Sequence, residues 1–186
     1  MQISQSPETG RPADGRKPEE TGIYDALDRL GIAYTRVDHE YAHTMEDCLD
    51  IEKVLDGPIP KNLFLTNRQQ TEFYLLLMPG DKPFKTKYLS AQLGCTRLSF
   101  GGPEQLSALL RTVQGSVSPL ELIYDRERRV RFILDRELQG SACFCGHPGF
   151  ATSKVKLAWK DLMDYVYACS HEPTWVELPR EEEEHG

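Results

Sequence analysis

Residues 61–78 read KNLFLTNRQQTEFYLLLM, and this stretch decides the fold class. Two strand-like apolar runs, 62–66 and 72–78, flank the polar Asn67-Arg68-Gln69-Gln70, the pattern of a β-hairpin.

Working upstream, Ile23, Leu27 and Leu30 recur on one helical face, and Gly31 follows as a C-terminal cap. Residues 33–38 read as a strand. Thr44-Met45-Glu46-Asp47 resembles a helix start with a capping acid, and Cys48, Ile51 and Leu55 give that helix its apolar face. Pro58 and Pro60 end it. Downstream, residues 86–93 form a short helix closed by Gly94, and Pro103 opens another with Leu106, Leu109, Leu110 and Val113 facing inward. Residues 120–124 and 130–134 flank a polar turn and read as a second hairpin. Segments 141–146 and 153–159 are strand candidates, and 161–168 is a closing helix. Strands and helices mix without a steady βαβ rhythm, so the expected class is α+β, a mixed sheet flanked by helices.

The organisation expected is a flexible leader over 1–20, one folded body over 21–179, and an acidic tail over 180–186. Of 186 residues, 39% are apolar, an ordinary globular composition. No apolar run approaches a membrane span and Met1 to Glu20 holds no signal-peptide core, so no membrane partner is expected. Five scattered cysteines read as reduced thiols in a cytoplasmic protein. Net charge is −7, but the body carries 18 basic against 21 acidic groups. That balance excludes a general nucleic-acid binder working by bulk charge; an RNA substrate would need a local patch.

Four features bear on chemistry. Lys61 stands at the mouth of the first strand, either as a cation aimed into a cleft or as a solvated strand-end lysine. The loop Gly115-Ser116-Val117-Ser118-Pro119 can bring bare backbone and N–H donors to a ligand, or simply stop a helix. It is no nucleophile elbow, because Pro119 breaks the Gly-x-Ser-x-Gly pattern. Cys143, Cys145 and His147 would share one strand face, yet they lack a fourth ligand and the paired Cys-x-x-Cys spacing. They read as two core-facing cysteines and a histidine in a turn, and no metal is expected. His39 and His43 are spaced like a zinc-protease motif without its helix, and read as a loop.

In series, Lys61-Asn62-Leu63-Phe64-Leu65, then the 115–119 loop, then His147-Pro148 with Thr152 resemble the YbaK and prolyl-tRNA editing domain family. The resemblance runs from about Thr21 to Leu178. It implies a strongly curved mixed β-sheet flanked by helices. It also implies hydrolysis of the ester joining a wrong amino acid, alanine, to tRNA for proline, without cofactor or metal. The alternatives are the same reaction on Cys- or Ser-tRNA, or a non-catalytic tRNA- or synthetase-binding module of the same fold. The resemblance assigns catalysis to Lys61, Gly115 and His147, and substrate binding to Asn62, Ser116, Val117, Ser118, Pro119 and Thr152. The implied partners are the acceptor end of the tRNA and prolyl-tRNA synthetase. At 151 this chain has Ala where the family often has Asn, so an amide that could tie the loop or touch substrate is absent.

Overall fold

A computed structural model describes residues 1–42 and 45–180. Its elements run β1 (Glu8–Thr9), α1 (Pro18–Arg29), β2 (Tyr34–Asp38), α2 (Met45–Leu55), β3 (Lys61–Thr66), β4 (Phe73–Met78), α3 (Thr86–Leu93), β5 (Ser99–Phe100) and α4 (Pro103–Leu110). A 3-10 helix (Pro119–Tyr124) follows, then β6 (Val130–Asp135), β7 (Cys143–Gly146), β8 (Ser153–Ala158), α5 (Trp159–Ala168) and β9 (Thr174–Val176). The class is α+β, as the sequence pattern requires. The strands divide, however, into two separately hydrogen-bonded sheets where one curved sheet was expected: β1-β2-β8-β7, and β5-β3-β4-β6-β9.

The first hairpin forms as read, with Lys61 opposite Met78 and Thr66 opposite Phe73. All six residues of β4 are buried, because period-two alternation sends its side chains into two different cores. Phe73, Leu75 and Leu77 join Phe64, Phe132, Phe144, Val155, Leu157 and Tyr165 between the sheets. Tyr74, Leu76 and Met78 face the other way, against Leu89 of α3. A smaller cluster of Val37, Leu55 and Cys145 lies between the first sheet and α2.

The second hairpin does not form. Residues 119–124 are a 3-10 helix because Pro119 sits at its first position and Ser118 and Glu121 make a capping box. Released from that partner, β6 pairs parallel with β4, and β9, which the sequence reading missed, pairs parallel with β6. Val113 is 48% exposed rather than inward. The helix has already ended, with Arg111 in the left-handed region at φ 52°.

The first 20 residues are not a free leader. Glu8–Thr9 pair with Thr35 and Arg36 of β2, and Pro18 starts α1. Local composition missed this because the segment is held by long-range ion pairs rather than by its own apolar surface. Of the acidic tail, only Arg180 lies within the described residues; it bonds Asp81 and Glu137.

Candidate active site

The 115–119 loop and the His147 loop are stitched together. Ser118 Oγ donates to the His147 carbonyl at 2.7 Å, and Thr112 Oγ1 donates to the Gly149 carbonyl at 2.7 Å. Gly115 is exposed and takes φ +85°, a conformation that L side chains rarely adopt. The next four residues, Ser116 to Pro119, are buried, and Val117 is part of the main core. The loop is therefore a rigid ledge with one exposed glycine at its rim.

Its donors are unequal. Ser116 N–H donates to Val113 O at 3.1 Å and Ser118 N–H to Glu121 Oε2 at 2.6 Å. Ser116 Oγ is fully buried and has no partner among the described residues. Among the described residues, the N–H groups of Gly115 and Val117 make no backbone or side-chain hydrogen bond, so they are the donors the ledge has to offer. Beneath it, burial pushes the Glu121 carboxyl up to about 8, against the lowering pull of Ser118. A protonated carboxyl there keeps a full charge out of the core at neutral pH.

His147 follows the end of β7, and its Nδ1 lies 2.7 Å from the Ser153 carbonyl. A carbonyl only accepts, so Nδ1 carries the proton and Nε2 presents a lone pair. Burial, helped by the Lys154 ammonium, lowers the imidazole to about 3, so the ring is neutral at physiological pH. Ser153 is itself braced: its Oγ donates to Glu20 Oε1 at 3.0 Å, and Arg16 pairs with the same carboxylate at 3.1 Å. Arg16 also reaches Asp38. The N-terminal segment thus props the wall that holds His147. The signal available in the sequence was the Arg16–Glu20 spacing across the start of α1.

Lys61 opens β3 and is partly buried. Its Nζ donates to the Lys82 carbonyl at 2.5 Å, which ties it to the 79–85 loop and not to the Gly115 or His147 loops. That loop is fixed, because Lys82 Nζ is buried against Asp135 at 2.7 Å and Glu137 at 3.1 Å. Asn62 Nδ2 donates to Pro60 O, while its Oδ1 is buried without a partner among the described residues. The Thr152 side chain is exposed, and its carbonyl accepts from His39 N–H at 3.0 Å. Ala151 is buried beside it, and the loop is held by the bonds that the Thr152 and Gly149 carbonyls accept.

The Cys-x-Cys-x-His run does not converge. A Cβ built on Gly57 would stand 2.6 Å from Cys145 Sγ and 3.3 Å from Cys143 Sγ, so both sulfurs pack against that backbone. His147 instead faces His39, with ring centroids 5.9 Å apart. Among the described residues no group of three His, Cys, Asp or Glu is placed to hold a metal ion. His39, read from sequence as a plain loop residue, is buried; His43 and Thr44 lie outside the described residues. No helix among the described residues is long and apolar enough to cross a membrane.

Comparison with known proteins matches residues 39–165 to the aminoacyl-tRNA editing domain. The prolyl-tRNA editing protein ProX of Acetoanaerobium sticklandii is 33% identical over 82% of this chain and 93% of its own length. The prolyl-tRNA synthetase associated domain-containing protein 1 of Danio rerio is 33% identical over 87% of this chain and 86% of its own. A solved structure assigned provisionally as a trans-editing enzyme for prolyl tRNA synthetase superposes with TM-score 0.67. It is 17% identical and covers 89% of this chain and 100% of its own.

Proposed function

The chain belongs to the aminoacyl-tRNA editing domain family, and on that premise we propose that it deacylates tRNA for proline that carries alanine by mistake. The observation that carries this reading is the ledge at 115–119, clamped to His147 by Ser118, with its only exposed residue a glycine at φ +85°. Small residues on a rigid support admit a small side chain and exclude a larger one. One methylene gives only about 1–3 kcal/mol of selection in a single step, so an error of this kind calls for a second, size-excluding site.

An aminoacyl ester is already activated, and its hydrolysis needs water held near the carbonyl and donors aimed at the developing oxyanion. In this chain Gly115 N–H and Val117 N–H are the donors without another bond. Neutral His147, with Nδ1–H engaged by Ser153, offers Nε2 as an acceptor for the substrate end or for water. Lys61 supplies the cation, and leaves the Lys82 carbonyl to meet a phosphate or carbonyl oxygen.

The tRNA strand has a surface suited to it. A cleft of about 700 Å³ is lined by Phe84, Lys85, Lys87, Arg97 and Phe100. Phe100 is 61% exposed, and its ring meets Phe84 edge-on at 6.5 Å. Aromatic faces beside cations suit single-stranded nucleotides, and the net-acidic body makes such a local patch necessary. Because β5 pairs with β3, this cleft borders the sheet that carries Lys61.

The test is a deacylation panel on tRNA for proline carrying Ala, Ser, Cys or Pro. Alanine should be released while Pro-tRNA survives. Equal rates on Ala- and Pro-tRNA would sink the size-exclusion reading, faster release of Ser or Cys would reassign the substrate, and no release of any would favour a binding module.

A further inference from the structure

His39 has a feature its surroundings do not explain. It is 7% exposed, and its Nδ1 lies 2.7 Å from the Glu40 carbonyl, so Nδ1 is the protonated nitrogen. Burial, and to a lesser extent Lys154, lowers its basicity, so the ring is neutral and Nε2 holds a lone pair. That Nε2 is buried and has no hydrogen-bond partner among the described residues. An unmet buried acceptor is costly, and native structures rarely keep one without use.

The position is held firmly. His39 N–H donates to the Thr152 carbonyl at 3.0 Å, and Ile3 bridges to His39 from the N-terminal segment. The ring stands 5.9 Å from that of His147. Both rings are oriented by the same device, a hydrogen bond from Nδ1–H to a main-chain carbonyl at 2.7 Å, which leaves Nε2 of each of these neighbouring rings as the acceptor nitrogen. His39 and Thr152 also line a groove of about 570 Å³, together with Arg16, Asp38 and Glu40. Two neighbouring neutral imidazoles suit a ligand end rich in hydrogen-bond donors.

The geometry points to His39 as a second substrate-positioning residue, whose Nε2 accepts a hydrogen bond from the aminoacylated terminal adenosine beside His147. This rests on the deacylase reading for the ligand's identity. Two donors on that ligand have the required chemistry: the free ribose hydroxyl next to the ester and the α-ammonium of the amino acid.

The test is binding of a non-cleavable probe, 3′-deoxy-3′-(L-alanylamino)adenosine, to the full chain by calorimetry, with its 2′-deoxy and N-acetyl forms as further arms. Two variants separate contact from structure. His39→Asn keeps a side-chain donor for the Glu40 carbonyl but removes the Nε2 acceptor. His39→Gln places an amide oxygen near the Nε2 position. His39→Asn should weaken the parent probe about tenfold or more, the size of one lost hydrogen bond, and His39→Gln should recover part of it. The effect of His39→Asn should vanish on the 2′-deoxy probe if the hydroxyl is the donor, or on the N-acetyl probe if the ammonium is. The same fold-loss on all three probes, or none on the parent, overturns the proposal. Failure of the wild-type chain to bind any probe or to release alanine from tRNA strikes the deacylase reading instead. In that case, a His39 Nε2 15N signal unmoved by the adenosine probes would also reject the His39 role.

Discussion

β4 and β8 are both interior strands, yet they bury opposite kinds of side chain. β4 buries six apolar or aromatic groups, split by pleat alternation between two cores. β8 gives Val155 and Leu157 to the main core but also buries Ser153 and Lys154. Burial depth alone therefore does not distinguish a strand that holds the fold from one that shapes a site. The distinction is whether the buried groups are complete by themselves. The side chains of β4 need contact and, at Tyr74, a single hydrogen bond from the hydroxyl to Glu72 just before the strand. Those of β8 need Glu20, and through it Arg16, while its neighbour His39 keeps an acceptor unmet. Polar groups in a low-dielectric interior are costly unless matched, so a chain retains them where they act.

The comparison can be broken most directly at Leu75, which is fully buried in β4. Leu75→Ala should cost about 2–5 kcal/mol of stability, from lost transfer energy plus the cavity left behind. Urea unfolding measures it, and a loss well under 1 kcal/mol would mean that β4 is not the core strand described.

Lys61→Ala tests the opposite property at the edge of the same sheet. Deacylation should fall about 100-fold or more, close to 2.7 kcal/mol of transition-state energy, as for other electrostatic groups at hydrolytic sites. The melting temperature should stay nearly constant, since the bond lost, to the Lys82 carbonyl, lies on a loop already anchored by Asp135. Normal kinetics in the variant would remove Lys61 from the site.

Gly115→Ala sharpens the contrast on the ledge. A Cβ there would meet only Tyr41 Oη at 3.5 Å, ordinary contact, so the penalty comes from φ +85° and not from a clash. A non-glycine residue forced into that region costs about 1–2 kcal/mol. Relief of that strain would turn the backbone and move the Gly115 and Val117 donors. Deacylation per folded molecule should drop about tenfold or more. A fall in melting temperature with an unchanged rate would make Gly115 a helix stop only.

The smallest effect is a pH slope. Glu121 is raised from 4.5 to about 8, so between those values the folded state binds more protons than the unfolded state, and stability falls as pH rises. His147, lowered from 6.5 to about 3, acts oppositely: the unfolded state binds the extra proton, and stability rises with pH up to about 6.5. The two oppose each other below 6.5, and of this pair only Glu121 acts above it; the Lys154 ammonium, lowered by burial, opposes it at higher pH. Urea midpoints of the wild type should decline from pH 6.5 to 8, and Glu121→Gln should flatten that decline. An equal slope in both would place the titration elsewhere. The rate should show no inflection near 6.5 from His147.

The sequence by itself determined the elements whose signal is local. Two strand-like runs around a polar turn marked the 61–78 hairpin, Gly94 closed α3 and Pro103 opened α4, because these depend on pattern and backbone chemistry within a few residues. It also carried the family, through Lys61, the 115–119 loop and His147-Pro148 in series. It did not show that 119–124 turns into a 3-10 helix, that β6 pairs parallel with β4, or that β9 exists, since strand partners are chosen by long-range packing. Nor did it show residues 1–20 as part of the fold. Their polar composition predicts disorder only while Arg36, Ser153 and β2 are out of reach. The tertiary structure likewise decided the site's electrostatics. A histidine's protonation and a glutamate's charge depend on solvent exclusion and on which carbonyl lies opposite. For His39 and His147, residues about a hundred positions apart, those conditions arise only once β2 and β8 are paired.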